Sequence, residues 1–503
     1  MTVERKRKLD LAMGVAALLV LGFLGAVDSG EIPLGVPGEW QWPRLGAKPA
    51  TTSLLIAAAG VVAYGGYAAL GYRALGVPSR VGLREAGWVA GLAVSAATLQ
   101  VVIPLGASDG YGLTKWARVH CQRGATGYYT IAKTQAAADP WKFLADYPKW
   151  IESQDAYHIG THPPGLIAMH CGLLALMERQ VAAADLLNAA MPPSVGAGFR
   201  WVEVKESTTI ARSDRAAIYL TSLVTLLACA GTVAPLYVLA RESLPPQSAW
   251  VGAAFWPLAP ALNLFQPLAD AAYPLLSATA LATAAWSIRL RGGPGLAGWA
   301  WATPAIASGA VMAFGMMFTL AFLPVGLIVA LVVLATRAVS WPRRFEVIAW
   351  IGVGFVAVVA LDWLATSADP FVVWWWNLRN HERFYEECRR SYLPWLLVNP
   401  VELAIAAGLP TVVWCLIGAT VDHRGVPRAA WCALAVLAIV DLSGRNMSEV
   451  ARLWMIFLPP LFTAAGVGLT RLGGGVQAVF VTVLLIGLQT VGLQCMVQLV
   501  YSL

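Results

Sequence analysis

The chain has 503 residues, 58% of them hydrophobic and only 13% charged, and its mean hydropathy is positive. A soluble protein carries roughly 25% charged residues, and apolar runs near the roughly 20 residues needed to cross a bilayer recur along the whole length, so a large soluble fold is excluded. Backbone in lipid must satisfy its own hydrogen bonds and the short alternating segments of a barrel are absent, which leaves an all-α polytopic membrane protein; the net charge of +7 is then topology information and not a nucleic-acid signal.

The chain opens with "MTVERKRKLD" followed by "LAMGVAALLVLGFLGAV". No small-residue cleavage site follows, so a retained first helix is expected instead of a signal peptide. Further candidate spans fall at approximately 51–72, 87–106, 215–240, 248–264, 270–288, 296–314, 317–336, 346–365, 396–420, 429–443, 452–470 and 476–500, about 13 in all. The 22 tryptophans suit interfacial belts. The seven cysteines have neither CxxC nor metal-ligand spacing, and Cys121, Cys171 and Cys388 alone could face an oxidising side.

Arginine and lysine mark the cytoplasmic side. Arg5 to Lys8 hold the N-terminus inside, and Arg73, Arg80 and Arg84 place the second connection inside, so the third span delivers Asp109 outside. Later basic connections carry Arg289 and Arg291, Arg337, Arg343 and Arg344, Arg424 and Arg428, then Arg471. Counting back from Arg289 puts Arg241 inside and residues 179–214 outside, although residues 107–162 are outside as well. The run between them, "PPGLIAMHCGLLALM", has only 15 residues, closer to a re-entrant or interfacial helix than to a crossing. Residues 107–214 are therefore one large external region, in which "DPWKFLADYPKWI" spaces Trp141, Leu144, Tyr147 and Trp150 as a surface helix would. A second external loop spans 366–395. There is no Walker loop, no GxGxxG after a strand and no internal repeat, which argues against a cytoplasmic nucleotide-driven engine.

The unusual polar residues gather in these outward loops. Asp109, in "GASDGYG", suits a general base mounted at a helix end, or simply an Asp-Gly turn. In "DAYHIGTHPPG", Pro163 and Pro164 suit the first turn of a helix with Thr161 as its cap. Asp155, His158 and His162 there could bind substrate or, with less suitable geometry, a metal. Asp270, in "LADAAYP", is costly within lipid and so a candidate for function. "NHERFYEECRR" is either a solvated mixed-charge segment or an arm directing His381, Glu382 and Arg383 into a shared cleft. Arg445 and Arg452, in "GRNMSEVARLWMIFLPP", could fork onto a lipid phosphate or snorkel at the interface.

An acid after a span, then "HPPG", an Asp at the outer start of a later helix, "HERF" with "YLPWLLVNPVELAIAAGLP", and "ARLWMIFLPPL", in that order, resemble the membrane-embedded GT-C glycosyltransferases, nearest the protein O-mannosyltransferase and lipid A aminoarabinose transferase branch. The resemblance covers about residues 87–471. It implies two N-terminal helices (1–86), a catalytic module (87–471) and a C-terminal helix (472–503). It also implies transfer of a sugar from a polyprenyl-phosphate or -diphosphate donor to a lipid, protein or glycan acceptor on the outer face; a single displacement there would invert the configuration. By the same resemblance Asp109 is the base, His162 lines the entry, Arg452 holds the donor phosphate, and Asp270 with His381, Glu382 and Arg383 shapes the cleft. Two departures stand out: Gly110 replaces a second acid, and no lysine follows "HPPG". They leave the acceptor and any divalent cation open. The expected partners are the donor, the acceptor and membrane lipids, without nucleic acid, in a bacterial inner membrane with the N-terminus cytoplasmic. The competing class is a transporter or lipid flippase, which would place ionisable residues near the midplane; Asp362 and Asp441 are the acids closest to that description.

Overall fold

A computed structural model describes residues 2–46, 48–77, 81–108, 110–122, 124–154, 156–293, 299–337 and 339–499. The chain is an all-α polytopic membrane protein. Among the described residues eight helices are long and apolar enough to cross a membrane: Val3–Ser29, Thr51–Leu75, Gly82–Gly106, Arg212–Arg241, Ala269–Gly292, Trp341–Thr366, Val450–Arg471 and Val476–Met496. Two bent pairs would raise the number to 10, and Ala302–Met316 and Phe322–Ala335 are shorter apolar helices. Among the described residues the strands are the two-residue pair Gly35–Val36 and Trp40–Gln41. Their turn residue Glu39 accepts from the Ser391 N–H (3.0 Å) and the Trp395 indole (2.6 Å), which ties the N-terminal helices to the 392–407 helix.

Several expected spans are broken, and each break has a local cause. The run expected at 248–264 is a helix Pro246–Phe255, a 3-10 turn Trp256–Leu258 and a helix Pro260–Phe265, interrupted by Pro257 and Pro260, which lack an N–H to donate. Every residue from Ser248 to Leu268 is buried, so the freed carbonyls need partners within the protein. Tyr64 donates to the Ala254 carbonyl (2.5 Å) and the Asn263 amide to those of Pro257 (3.2 Å) and Ala259 (3.3 Å), while the buried Lys115 ammonium closes the far end by donating to the carbonyls of Asn263 (2.9 Å) and Leu264 (3.2 Å). That burial pulls the Lys115 amine down to about 7. The span expected at 396–420 bends by 106° between Tyr392–Ala407 and Leu409–Val421. Gly408 at the corner has φ +94°, a region open to glycine. Gln489 bridges the cut ends, accepting from the Leu409 N–H (2.7 Å) and donating to the Ile405 carbonyl (3.1 Å).

The "HPPG" segment leads into the helix Gly165–Arg179, which turns by 104° into Val181–Ala190. The expected cap does not form. The helix starts one residue after the prolines with Pro164 at its N-cap, while Thr161 donates back to the Tyr157 carbonyl (2.8 Å). Gly165 is needed where it stands: its N–H donates to the Met317 carbonyl (2.9 Å), and a Cβ there would collide with that carbonyl. The "DPWKFLADYPKWI" helix forms over Pro140–Trp150, capped by Asp139 (3.0 Å to the Lys142 N–H), with Leu144 and Tyr147 buried.

The arginines assigned to the basic connections meet at one end of the bundle. Arg241 pairs with Glu85 (3.3 Å), Arg289 with Glu242 (3.4 Å), Arg291 with Glu346, and Arg471 with Asp422 (2.6 Å). The 20-residue helix Tyr273–Gly292 runs from just beyond Asp270 to Arg289 and Arg291, so about 30 Å of helix separates that charged end from Asp270. Arg452 and Arg471 stand at opposite ends of their span in the same way.

Candidate active site

At the end away from the arginine pairs, four short-range features converge. A 3-10 turn, Ala269–Ala271, presents Asp270 before its helix. The irregular segment 156–162 carries His158 and His162, and Tyr128 opens a single helical turn. The turn Val450–Leu453 carries Arg452. Asp270, His158, His162, Arg452, Tyr128, Tyr273, His120 and His170 together line one cavity of about 30 Å³.

The backbone before Arg452 is strained. Ser448 (φ +79°) and Glu449 (φ +54°) both lie in the left-handed region, at a cost of about 1–3 kcal/mol each for non-glycine residues. What holds them is a set of tertiary bonds: the Ala451 N–H donates to buried Glu402 (3.1 Å), and Arg390 donates to the Ser448 hydroxyl (3.3 Å). The turn aims the guanidinium inward, where Nη2 pairs with Glu449 (2.8 Å) and Nη1 approaches His158 Nδ1 (3.4 Å). Among the described residues Arg452 Nε is buried without a partner, as are His120 Nε2 and His170 Nδ1. Buried donors left in this state are costly and mark a wall built for something polar.

The two histidines are locked in opposite tautomers. His158 Nδ1 faces an arginine, which can only donate, so a neutral His158 carries its proton on Nε2. His162 Nδ1 faces the His158 carbonyl (2.9 Å), which can only accept, so its Nε2 is a free acceptor. Tyr147 donates to the His162 carbonyl (3.0 Å) and Tyr128 to that of His158 (3.3 Å), fixing the loop. Burial, then the Arg452 charge, holds His158 well below the usual imidazole range and takes His162 down to about 4. Both are neutral at pH 7. Because the unfolded chain binds the His162 proton near pH 6.5 and the folded chain only near pH 4, its contribution to stability is complete above about pH 6.5 and falls as pH drops toward 4, by about 3 kcal/mol. Thermal unfolding in lipid nanodiscs from pH 8 to pH 4 should show this decline, and His162→Gln should flatten it.

Not all expected residues share this cavity. Asp109 and Asp155 lie outside the described residues. His381 and Glu382 do not enter the cavity; His381 Nε2 donates to the Arg445 carbonyl (2.7 Å) and Glu382 pairs with the Arg445 guanidinium (2.6 Å). Arg383 donates to Asn380 (3.2 Å), whose amide in turn holds the carbonyls of Ile151 (3.2 Å) and Gly160 (3.0 Å). This arm therefore clamps the 444–449 loop and the histidine loop in place instead of shaping the cleft directly. Of the expected metal set, His158 Nδ1 has the Arg452 guanidinium against it, His162 keeps Nε2 open, and Asp155 lies outside the described residues. Among the described residues no group of three or more His, Cys, Asp or Glu could hold a metal ion. The seven cysteines are free.

No protein-family model matches the chain, and no curated protein is significantly similar to it in sequence. A solved structure does align. It is the oligosaccharyltransferase of Archaeoglobus fulgidus, tethered with an acceptor peptide containing the NVT sequon, at 13% identity and a TM-score of 0.40. The alignment covers 76% of this chain but only 49% of that protein, so the chain spans about half the length of the structure it matches.

Beside the polar cavity lies an apolar groove of about 360 Å³, bounded by Trp141, Pro163, Pro164, Phe318, Val359 and Trp374 among others. Met169 lines both spaces. Asp362 lines the groove's edge, while Asp441 is engaged by Asn399 (2.9 Å). Tyr128, Tyr273, His120, His170 and Glu449 were not singled out from sequence. Of these only Glu449 had a legible signal, an acid three residues before Arg452 in the spacing of an ion pair.

Proposed function

We propose that the chain is a membrane glycosyltransferase of the GT-C type. It moves a sugar from a polyprenyl-phosphate donor to a lipid, protein or glycan acceptor on the outer face of a bacterial inner membrane, with inversion. One observation carries this reading: Arg452, His158, His162 and Asp270, scattered over the chain in the order of the family motifs, line one cavity that abuts an apolar groove through Met169. An amphiphile with an anionic head and a long apolar tail matches that pair of spaces.

In the reaction proposed, the acceptor hydroxyl attacks the anomeric carbon. A new C–O bond forms as the bond from that carbon to the phosphate oxygen breaks, and the polyprenyl phosphate leaves with the electron pair. Arg452, with its unpartnered Nε, stabilises the charge that grows on the departing phosphate. His158 Nε2–H is a second donor of fixed tautomer. Asp109 accepts the proton of the attacking hydroxyl, and one such carboxylate suffices for a single displacement. The cavity holds little more than a water molecule, so its walls must part to admit the donor. Met169, unbranched and adaptable, is the side chain that must swing.

Purified protein incubated with radiolabelled polyprenyl-phosphate sugars and membrane extract should yield a covalent product from at least one donor. Substrate flux in sealed vesicles without any covalent product would replace this reading with a transporter.

A further inference from the structure

Two histidines in the cavity wall have no part in the reaction proposed above. His120 stands on the helix Lys115–Cys121 and His170 on Gly165–Arg179, with their rings 5.6 Å apart and edge to face. They are 4% and 2% exposed, and both line the cavity that Arg452 and Asp270 line, so a molecule held by the arginine shares one enclosed space with them. His120 Nε2 and His170 Nδ1 are buried without a partner, a costly state for a polar atom. The wall is also braced from behind. The Tyr129 ring packs 6.3 Å from that of His170, and its hydroxyl donates to Asp214 (2.8 Å), which Lys133 holds as well (3.2 Å). An orphaned pair in a fixed wall is suited to a ligand that supplies the missing partners.

The chemistry around the pair says which part of a ligand that is. Burial, then the neighbouring His170 ring, takes His120 down to about 3, so it is neutral. A neutral imidazole offers one N–H and one bare nitrogen. Three threonines line the same cavity, and each has already committed its proton to a backbone carbonyl. Thr126 donates to Val119 (3.0 Å), Thr221 to Ala217 (3.0 Å) and Thr225 to Thr221 (3.1 Å). Their oxygens are left as acceptors. A phosphate ester only accepts, and its donors are at Arg452. A sugar hydroxyl both donates and accepts, and so matches a wall of imidazole N–H groups, bare nitrogens and threonine oxygens.

We infer that His120 and His170 bind hydroxyls of the donor's sugar, with Thr126, Thr221 and Thr225 as further acceptors, while Arg452 binds its phosphate. The inference rests on the glycosyltransferase reading above and adds to it the residues that recognise the sugar.

The test uses the full chain in nanodiscs and measures binding of polyprenyl phosphate and of its mannose, glucose and arabinose esters. For each sugar the readout is the dissociation constant of the bare phosphate divided by that of the ester. In His120→Leu/His170→Leu this ratio should fall about tenfold for at least one sugar, the loss expected for one or two hydrogen bonds, while binding of the bare phosphate stays as in the parent. The variant should unfold no earlier than the parent, because two buried polar groups without partners have been replaced by apolar ones. Thr221→Val/Thr225→Val keeps the side-chain shape and removes two acceptors. It should lower the same ratio, and it decides the matter if the histidine variant does not fold. An unchanged ratio for every sugar, or an equal loss of bare phosphate and esters, would overturn the assignment. If the parent binds neither the phosphate nor any ester, the glycosyltransferase reading itself fails and the assignment falls with it.

Discussion

Arg452→Met should lower transfer from a polyprenyl-phosphate sugar by about 10²–10³-fold, the cost of removing one preorganised donor to a developing oxyanion. The leaving phosphate gains charge as its bond to the sugar breaks, and the guanidinium is the fixed cation of the cavity lined with His158 and Asp270. Its preorganisation is visible before any substrate binds. Ser448 and Glu449 hold left-handed backbone to aim it, Glu449 fixes one end, and Nε is left without a partner. Methionine keeps the length and apolar stem, so the loss reports charge and not volume. Arg452→Lys should recover only part of the rate, since an ammonium cannot fork onto two phosphate oxygens. The histidines add a second readout. Without the Arg452 charge, His158 and His162 keep the larger effect of burial but lose the second cause of their depressed protonation, so the pH at which activity falls should move upward in Arg452→Met. Activity of Arg452→Met within threefold of the parent, measured under saturating donor, would remove the phosphate-binding role.

How far the sequence carried depended on how local each signal was. Arginine positions alone sorted the connections, and the ion pairs Arg241–Glu85, Arg289–Glu242 and Arg471–Asp422 now sit together at one end of the bundle. Asp270 and Arg452 were legible because a charge at the rim of an apolar run is expensive and so informative. The broken helices at Pro257 and Gly408 were not, because what permits each break is a distant residue: Tyr64, on the Ala254 carbonyl, for the first and Gln489 for the second. The same limit explains the "HERF" arm. Its mixed charge was conspicuous, but its partner Arg445 lies 63 residues away from Glu382 in sequence, and only the fold reveals that the arm is a clamp. Tyr128, His120 and His170 sit in ordinary helical contexts, and nothing in their neighbours announces that they share a wall with Arg452. Gly165 is the converse case: the glycine after the two prolines is plain in the sequence, but its reason, the Met317 carbonyl pressed against it, appears only in the fold.

Asp109→Asn should abolish transfer, by about 10²–10⁴-fold, the range for losing a positioned general base, while the protein still inserts and accumulates. Asparagine is isosteric and cannot take a proton, so the substitution separates acid–base chemistry from packing. Asp109 itself lies outside the described residues, but the residues on either side are firmly held. Ser108 is buried, and the Gly110 carbonyl accepts from Thr114 (2.6 Å) and from Arg118 (3.1 Å), whose guanidinium stacks on Trp201. A variant that only disturbs packing would instead lower accumulation or thermal stability together with the rate. Sidedness gives an independent check. Single cysteines at positions 109 and 382, in a background without native cysteines, should react with a membrane-impermeant maleimide from the same compartment. Labelling from opposite compartments would separate the base from the clamp that holds the Arg452 loop, and no single reaction centre could then contain both.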